Sequence, residues 1–222
     1  MTLNITSTEQ NYIKAIYHLE RNGRPVNTND LATQLATTPA SVTDMIKKLK
    51  QKKLINYKAY YGCTLTESGR KQSLLIIRRH RLWEYFLSKK LGFNWDAIHE
   101  IAEELEHVSN TELINKLDAF LGYPEVDPHG DPIPDANGNI ATTEHTVLGG
   151  GSLGKRYVVA QIGSQLPAVL ELLDQKHIKI GTVIEIKKRF DFDQSLEIKT
   201  GNKQLTQISK ELAQHILVKE HE

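Results

Sequence analysis

The chain has 222 residues, 39% hydrophobic and 25% charged, with a formal net charge of +1, enough to bury a core and to form one large or two to three small domains. There is no run of eighteen or more apolar residues, and the first residues lack the basic-then-apolar order of a secretory signal, so the expectation is a cytoplasmic protein with no membrane contact. The only cysteine, Cys63, excludes an internal disulfide and a thiolate-rich zinc site built from one chain, which leaves nitrogen and oxygen donors for any metal. The small net charge hides a segregation: residues 1–90 carry 16 Lys+Arg against 6 Asp+Glu (net +10), residues 91–150 carry 1 against 12 (net −11), and residues 151–222 carry 11 against 9 (net +2). A basic first segment implies a polyanionic partner, because lysines and arginines that neutralise phosphates release condensed counterions. An acidic second segment implies cation binding or a solvated helical face.

In chain order, residues 8–20 carry Tyr12, Ile13, Ile16, Tyr17 and Leu19 at helical spacing. Asn27 or Thr28 can cap a second helix over residues 30–35, and a short Thr37-Thr38-Pro39 turn leads to a third over residues 41–53. Val42, Met45, Ile46 and Leu49 face inward on it and Thr43, Asp44, Lys47 and Lys48 outward. Helix, tight turn and basic helix form a helix-turn-helix. Residues 54–57 and 63–66 then read as a hairpin with Gly62 near its tip, the wing. Such a unit can also be purely structural or bind protein, but the wing and the basic excess favour double-stranded DNA. Thr38, Ala40, Ser41, Thr43 and Asp44 lie where side chains reach base edges, and Lys47, Lys48, Lys53 and Lys58 where they reach phosphates.

Residues 74–91 and 94–121 read as two long helices. His80 and Glu84 are four apart and share a face on the first. On the second, His99, Glu103, Glu106 and His107 stand at relative positions 0, 4, 7 and 8, within roughly 100° of one another at 3.6 residues per turn. Imidazoles and carboxylates together suit Mn(II) or Fe(II), and other divalent ions can substitute. The plain alternative is a solvated face, which is how Glu100 and Glu104 are read. Glu104-x-x-His107 has the spacing of a di-iron bundle motif, but no second Glu-x-x-His occurs and no phosphate loop or nucleophile elbow appears, so no enzyme and no small organic substrate is expected. A winged-helix regulator responding to a non-metal ligand is the rival reading.

These residues resemble the diphtheria toxin repressor and manganese transport regulator family. The resemblance rests on Glu9-x-x-Tyr12-Ile13-x-x-Ile16-Tyr17, the helix-turn-helix, Arg79-His80-Arg81-Leu82-x-Glu84, Glu106-His107-Val108 and Gly130-Asp131-Pro132-Ile133-Pro134. It implies a homodimer that reads a palindromic operator and represses metal-import genes when metal is abundant. It also implies an ancillary metal site at His80, Glu84 and His99, and a primary site at Glu103, Glu106 and His107 with a further ligand from the first helix at Asn11. Glu103 leans towards manganese, whereas Asn11 supplies a neutral amide where carboxylate or thioether would be expected. Residues 123–151, rich in Pro, Gly and Asp, read as a surface linker. Strands over 156–162, 182–188 and 196–200 and a helix over 166–175 then read as a small barrel, resembling the SH3-like domain that longer members carry. The expected fold is mainly α with a small β content: winged helix 1–73, helical metal-binding and dimerisation domain 74–140, SH3-like β-barrel domain 141–222.

Overall fold

The computed structural model describes residues 5–20, 24–94, 97–142, 144–201 and 205–221, and divides into two compact units. Residues 1–80, 103–119 and 133–140 form the first, and residues 81–102, 120–132 and 141–222 the second.

In the first unit α1 (Ser7–Leu19), α2 (Thr28–Gln34) and α3 (Pro39–Gln51) precede the hairpin of β1 (Ile55–Lys58) and β2 (Gly62–Leu65). Each helix starts at a polar cap: Thr6 and Glu9 form a reciprocal capping box, and Asn27 and Thr38 accept from Asp30 N and Ser41 N. Glu9 also receives Lys52 Nζ at 2.7 Å, which ties the start of α1 to the end of α3. Ile13, Ile16, Leu31, Val42, Ile46 and Leu49 are all but fully buried in one cluster with Leu54 and Cys63. The wing is stitched back to the chain before α2 by reciprocal Val26 and Cys63 backbone bonds of 2.8 and 2.9 Å. Gly62, at φ +104°, permits this approach, since a Cβ there would lie 2.4 Å from Val26 O.

The helix α4 (Glu67–Lys89) follows the wing in the chain. The expected helix over 94–121 is instead two, α5 (Ile98–Leu105) and α6 (Thr111–Leu121). The break falls on Val108-Ser109-Asn110, residue types that hold helices weakly, and Asn110 Oδ1 caps α6 by accepting Leu113 N at 3.0 Å. Apolar periodicity continues across the break, but Val108 itself is exposed.

In the second unit a six-stranded antiparallel sheet has the order β3-β8-β4-β5-β6-β7, from β3 (Thr146–Val147), β4 (Arg156–Ile162), β5 (Val183–Arg189), β6 (Leu196–Thr200), β7 (Leu205–Ile208) and β8 (Ile216–Glu220). Helices α7 (Pro167–Gln175) and α8 (Lys210–Gln214) accompany it. Alternate residues of β4, β5, β6 and β8, such as Tyr157, Val159, Ile184, Ile186, Leu196, Ile198, Ile216 and Val218, meet in one core with Leu170, Leu173 and Leu212, as in a curled, barrel-like sheet. The segment expected to be a surface linker is partly built in. Asp127 Oδ1 accepts His129 N at 2.8 Å and Asp131 N at 2.9 Å, His129 O accepts Ile162 N, and Gly130 packs so close to β4 that a Cβ would lie 2.1 Å from Ala160 O.

Two outcomes are expected. Ile16→Ala will lower stability by about 2–5 kcal/mol in urea unfolding. Cys63 is 1% exposed, and burial with the nearby Glu20 charge pushes its thiol up to about 11, so the native protein will resist a thiol reagent at pH 7 and react only on unfolding.

Candidate metal centre and nucleic-acid interface

Thr38, Ala40, Ser41 and Asp44 are exposed at the start of α3, Thr43 is half-buried, and Lys47, Lys48, Lys53 and Lys58 are exposed. Part of the hydroxyl capacity is already engaged: Thr38 Oγ1 accepts Ser41 N and lies 3.0 Å from Ser41 Oγ, and Thr43 Oγ1 donates to Pro39 O at 2.8 Å. At the wing tip, fully exposed Tyr60 has φ +66°, and Lys58 Nζ lies 4.0 Å above the Tyr61 ring.

The expected metal ligands separate into two groups. In the first unit, the turn after α5 places Glu106 and His107 against α1 and α4. Glu106 is 0% exposed. Its Oε2 lies 2.8 Å from His80 Nδ1 and from Lys14 Nζ, and its Oε1 lies 2.6 Å from the same ammonium. Burial alone would raise the Glu106 carboxyl, but the His80 bond and the Lys14 charge outweigh it and hold it below the usual carboxylate range. Half-exposed Glu103 lies 3.4 Å from Lys14. His107 Nδ1 lies 3.0 Å from Gln10 Oε1, which also receives Arg79. Burial lowers the His107 imidazole below its ordinary value, so it is neutral at pH 7. Asn11, expected to supply the ligand from the first helix, is exposed on α1, and the amide that faces His107 is that of Gln10.

In the second unit Glu84, also 0% exposed, has His99 Nδ1 at 3.3 Å and His129 Nε2 at 4.0 Å from its Oε1. His80 stands one turn before Glu84 on α4, and its Nδ1 contact with Glu106 fixes the ring, as carboxylates do for metal-binding imidazoles. Asp127, 3% exposed, is pushed well above the usual carboxylate range by burial and by the Asp131 and Glu84 charges, against the opposing Arg81 guanidinium. Arg81 reaches Asp127, Asp131 and the Pro132 carbonyl, and Gln161 from β4 donates to Asp131 at 2.8 Å. Buried carboxylate with imidazole nitrogens, in surroundings rich in negative charge, fits a divalent first-row cation.

Sequence reasoning missed Gln10, Lys14 and His129. A search for donors passes over a lysine, and His129 falls in a stretch whose composition reads as linker; its only signal is its place beside the Gly130-Asp131-Pro132 motif.

Three family models lie along the chain: the iron dependent repressor N-terminal DNA binding domain on residues 4–63, the iron dependent repressor metal binding and dimerisation domain on 66–135, and the FeoA domain on 148–220. The HTH-type transcriptional regulator MntR of Bacillus subtilis is 32% identical over 122 residues, 55% of this chain and 85% of its own length. The chain belongs to the diphtheria toxin repressor and manganese transport regulator family. The iron-dependent repressor IdeR of Mycobacterium tuberculosis is 28% identical over 130 residues, 59% of this chain and 56% of the relative, so that match spans little more than half of IdeR. Among solved structures, a manganese-dependent transcriptional repressor in complex with manganese superposes with a TM-score of 0.88 at 32% identity, covering 96% of this chain and 100% of the other. ScaR with bound Cd2+ superposes with a TM-score of 0.79 at 28% identity, covering 96% and 99%. Repressors of this family are DNA-binding regulators and not enzymes, and this repressor shares their DNA-binding, metal-binding and dimerisation, and FeoA parts. Among the described residues no helix is long and apolar enough to cross a membrane.

Because Glu106 is buried and Lys14 faces both its oxygens, Lys14→Met will destabilise the repressor by about 3–5 kcal/mol in urea unfolding. Adding Glu106→Gln will cost less than the sum of the two single changes, since it removes the carboxylate that was left unmatched.

Proposed function

We propose that this repressor is cytoplasmic, responds to Mn(II) or Fe(II) with manganese favoured, binds operator DNA as a homodimer, and controls metal-uptake genes. The observation that carries the reading is the buried Glu84 carboxylate flanked by the His99 and His129 imidazoles, oxygen and nitrogen donors without a thiolate. Glu84 and His99 would hold the metal, with His80 joining from the preceding turn of α4 and other divalent ions able to substitute. The chemistry supplied by a bound divalent cation is neutralisation of a carboxylate that has no access to water. Of the remaining expected ligands, Asn11 lies exposed on α1 while Glu103, Glu106 and His107 fasten that helix, and α1 packs on α3 through Ile13, Ile16, Val42 and Ile46.

The functional partition follows the three stretches 1–73, 74–140 and 141–222. The start of α3 would enter the major groove, and Lys47, Lys48, Lys53 and Lys58 would lie along phosphates. Phe120 and Tyr123, 65% and 69% exposed at the end of α6, are apolar area suited to a two-fold dimer, and such a dimer reads a palindromic operator. Metal and operator then strengthen each other reciprocally.

Fluorescence anisotropy of labelled DNA from metal-import promoters, titrated in chelator, Mn(II) and anaerobic Fe(II), tests the reading. Metal is expected to tighten binding about 5- to 150-fold, and the Glu84→Ala/His99→Ala variant to lose that gain. Equal binding in chelator and metal would sink the metal response. Lys47→Ala/Lys48→Ala is expected to weaken binding and to reduce the slope of log K against log salt by about 1 for each lysine.

A further inference from the structure

A buried carboxylate requires a matching cation, and at Glu106 the chain brings its own. Lys14 Nζ lies 2.6 and 2.8 Å from the two Glu106 oxygens and 3.4 Å from Glu103 Oε1, with side-chain exposures of 15% for Lys14 and 1% for Glu106. We infer that Lys14 is the resident cation of the Glu103, Glu106 and His107 group, and that this group takes no metal ion while Lys14 holds it. The inference rests on the metal-responsive reading and narrows it: the donors around Glu84 take the metal, and the donors around Glu106 take an ammonium.

Charge and space both point this way. Helix α1 contributes no carboxylate here, since Gln10 is a neutral amide and Asn11 is exposed. Two carboxylates, the Lys14 ammonium and the Arg79 guanidinium on the Glu106 carbonyl and Gln10 leave the group neutral, whereas a divalent ion added beside Lys14 would take it to +2 in a largely buried place, where unmatched charge is costly. A metal bound directly to a carboxylate oxygen sits about 2.0–2.2 Å from it. Lys14 already covers both oxygens of Glu106, and Oε2 is shared with His80. Cation repulsion at such separations forces one to leave. The Glu84 group differs: the contacts that define it are the imidazoles of His99 and His129, neutral donors that a metal ion can share, with no lysine ammonium among them. In consequence α1 is fastened to Glu106 in metal-free and metal-loaded protein alike.

The test is the number of Mn(II) ions bound per full-length chain, counted from the free-Mn(II) electron paramagnetic resonance signal as metal is added beyond saturation. Lys14→Met is expected to bind one more ion than wild type, and Mn(II) is expected to raise its melting temperature by more than it raises that of wild type. Lys14→Gln, which keeps a hydrogen-bond donor to Glu106, serves if Lys14→Met does not fold, and the same extra ion is expected. Equal numbers in wild type and a folded Lys14 variant would overturn the inference. A wild type that binds no Mn(II) would instead sink the metal-responsive reading, and the gain in the Lys14 variant would still decide the role of Lys14.

Discussion

Two carboxylates shape this molecule because neither reaches water. An ionised carboxylate removed from solvent costs several kcal/mol unless opposite charge and hydrogen bonds replace what water supplied. Glu106 meets that demand within the chain: α1 brings Lys14, α4 brings His80, and the break between α5 and α6 turns Glu106 towards both. Glu84 has the His99 and His129 imidazoles beside it and the carboxylate of Asp127 near it, a set of nitrogen and oxygen donors. The same side-chain chemistry, buried to the same degree, meets an ammonium in one case and imidazoles in the other.

Much of the architecture is legible in the sequence because its helices are amphipathic and capped. Tyr12, Ile13 and Ile16 mark the buried face of α1, and Val42, Ile46 and Leu49 that of α3, while Asn27 and Thr38 mark where helices start. The wing shows as two short runs about a glycine, and the exposure of Thr38, Ser41, Lys47 and Lys48 follows from helix geometry. The pairing of Glu84 with His99 is foreshadowed by the His80/Glu84 spacing and by the family resemblance.

What stays hidden has physical causes. Helical periodicity over 94–121 cannot reveal a break whose residues preserve the period, so His99, Glu106 and His107 read as one face although the structure sends them to different partners. The short strands β7 and β8 carry too few alternations to stand out from their surroundings. A glycine- and proline-rich stretch signals turns but not the bonds to β4 that bury His129 and Asp127. Lys14 looks like one more exposed lysine of a basic domain until its ammonium is found against Glu106.

The donors assembled around Glu84 and Glu106 are imidazole, carboxylate and amide, and the single thiol is buried in the winged helix. Peroxide converts exposed thiolates to sulfenic acid and beyond, and so silences sensors that ligate metal through cysteine. Imidazole and carboxylate ligands lie outside that ladder, and a thiol held protonated and enclosed is a poor target. A regulator built this way offers peroxide no accessible thiol among its metal-site donors.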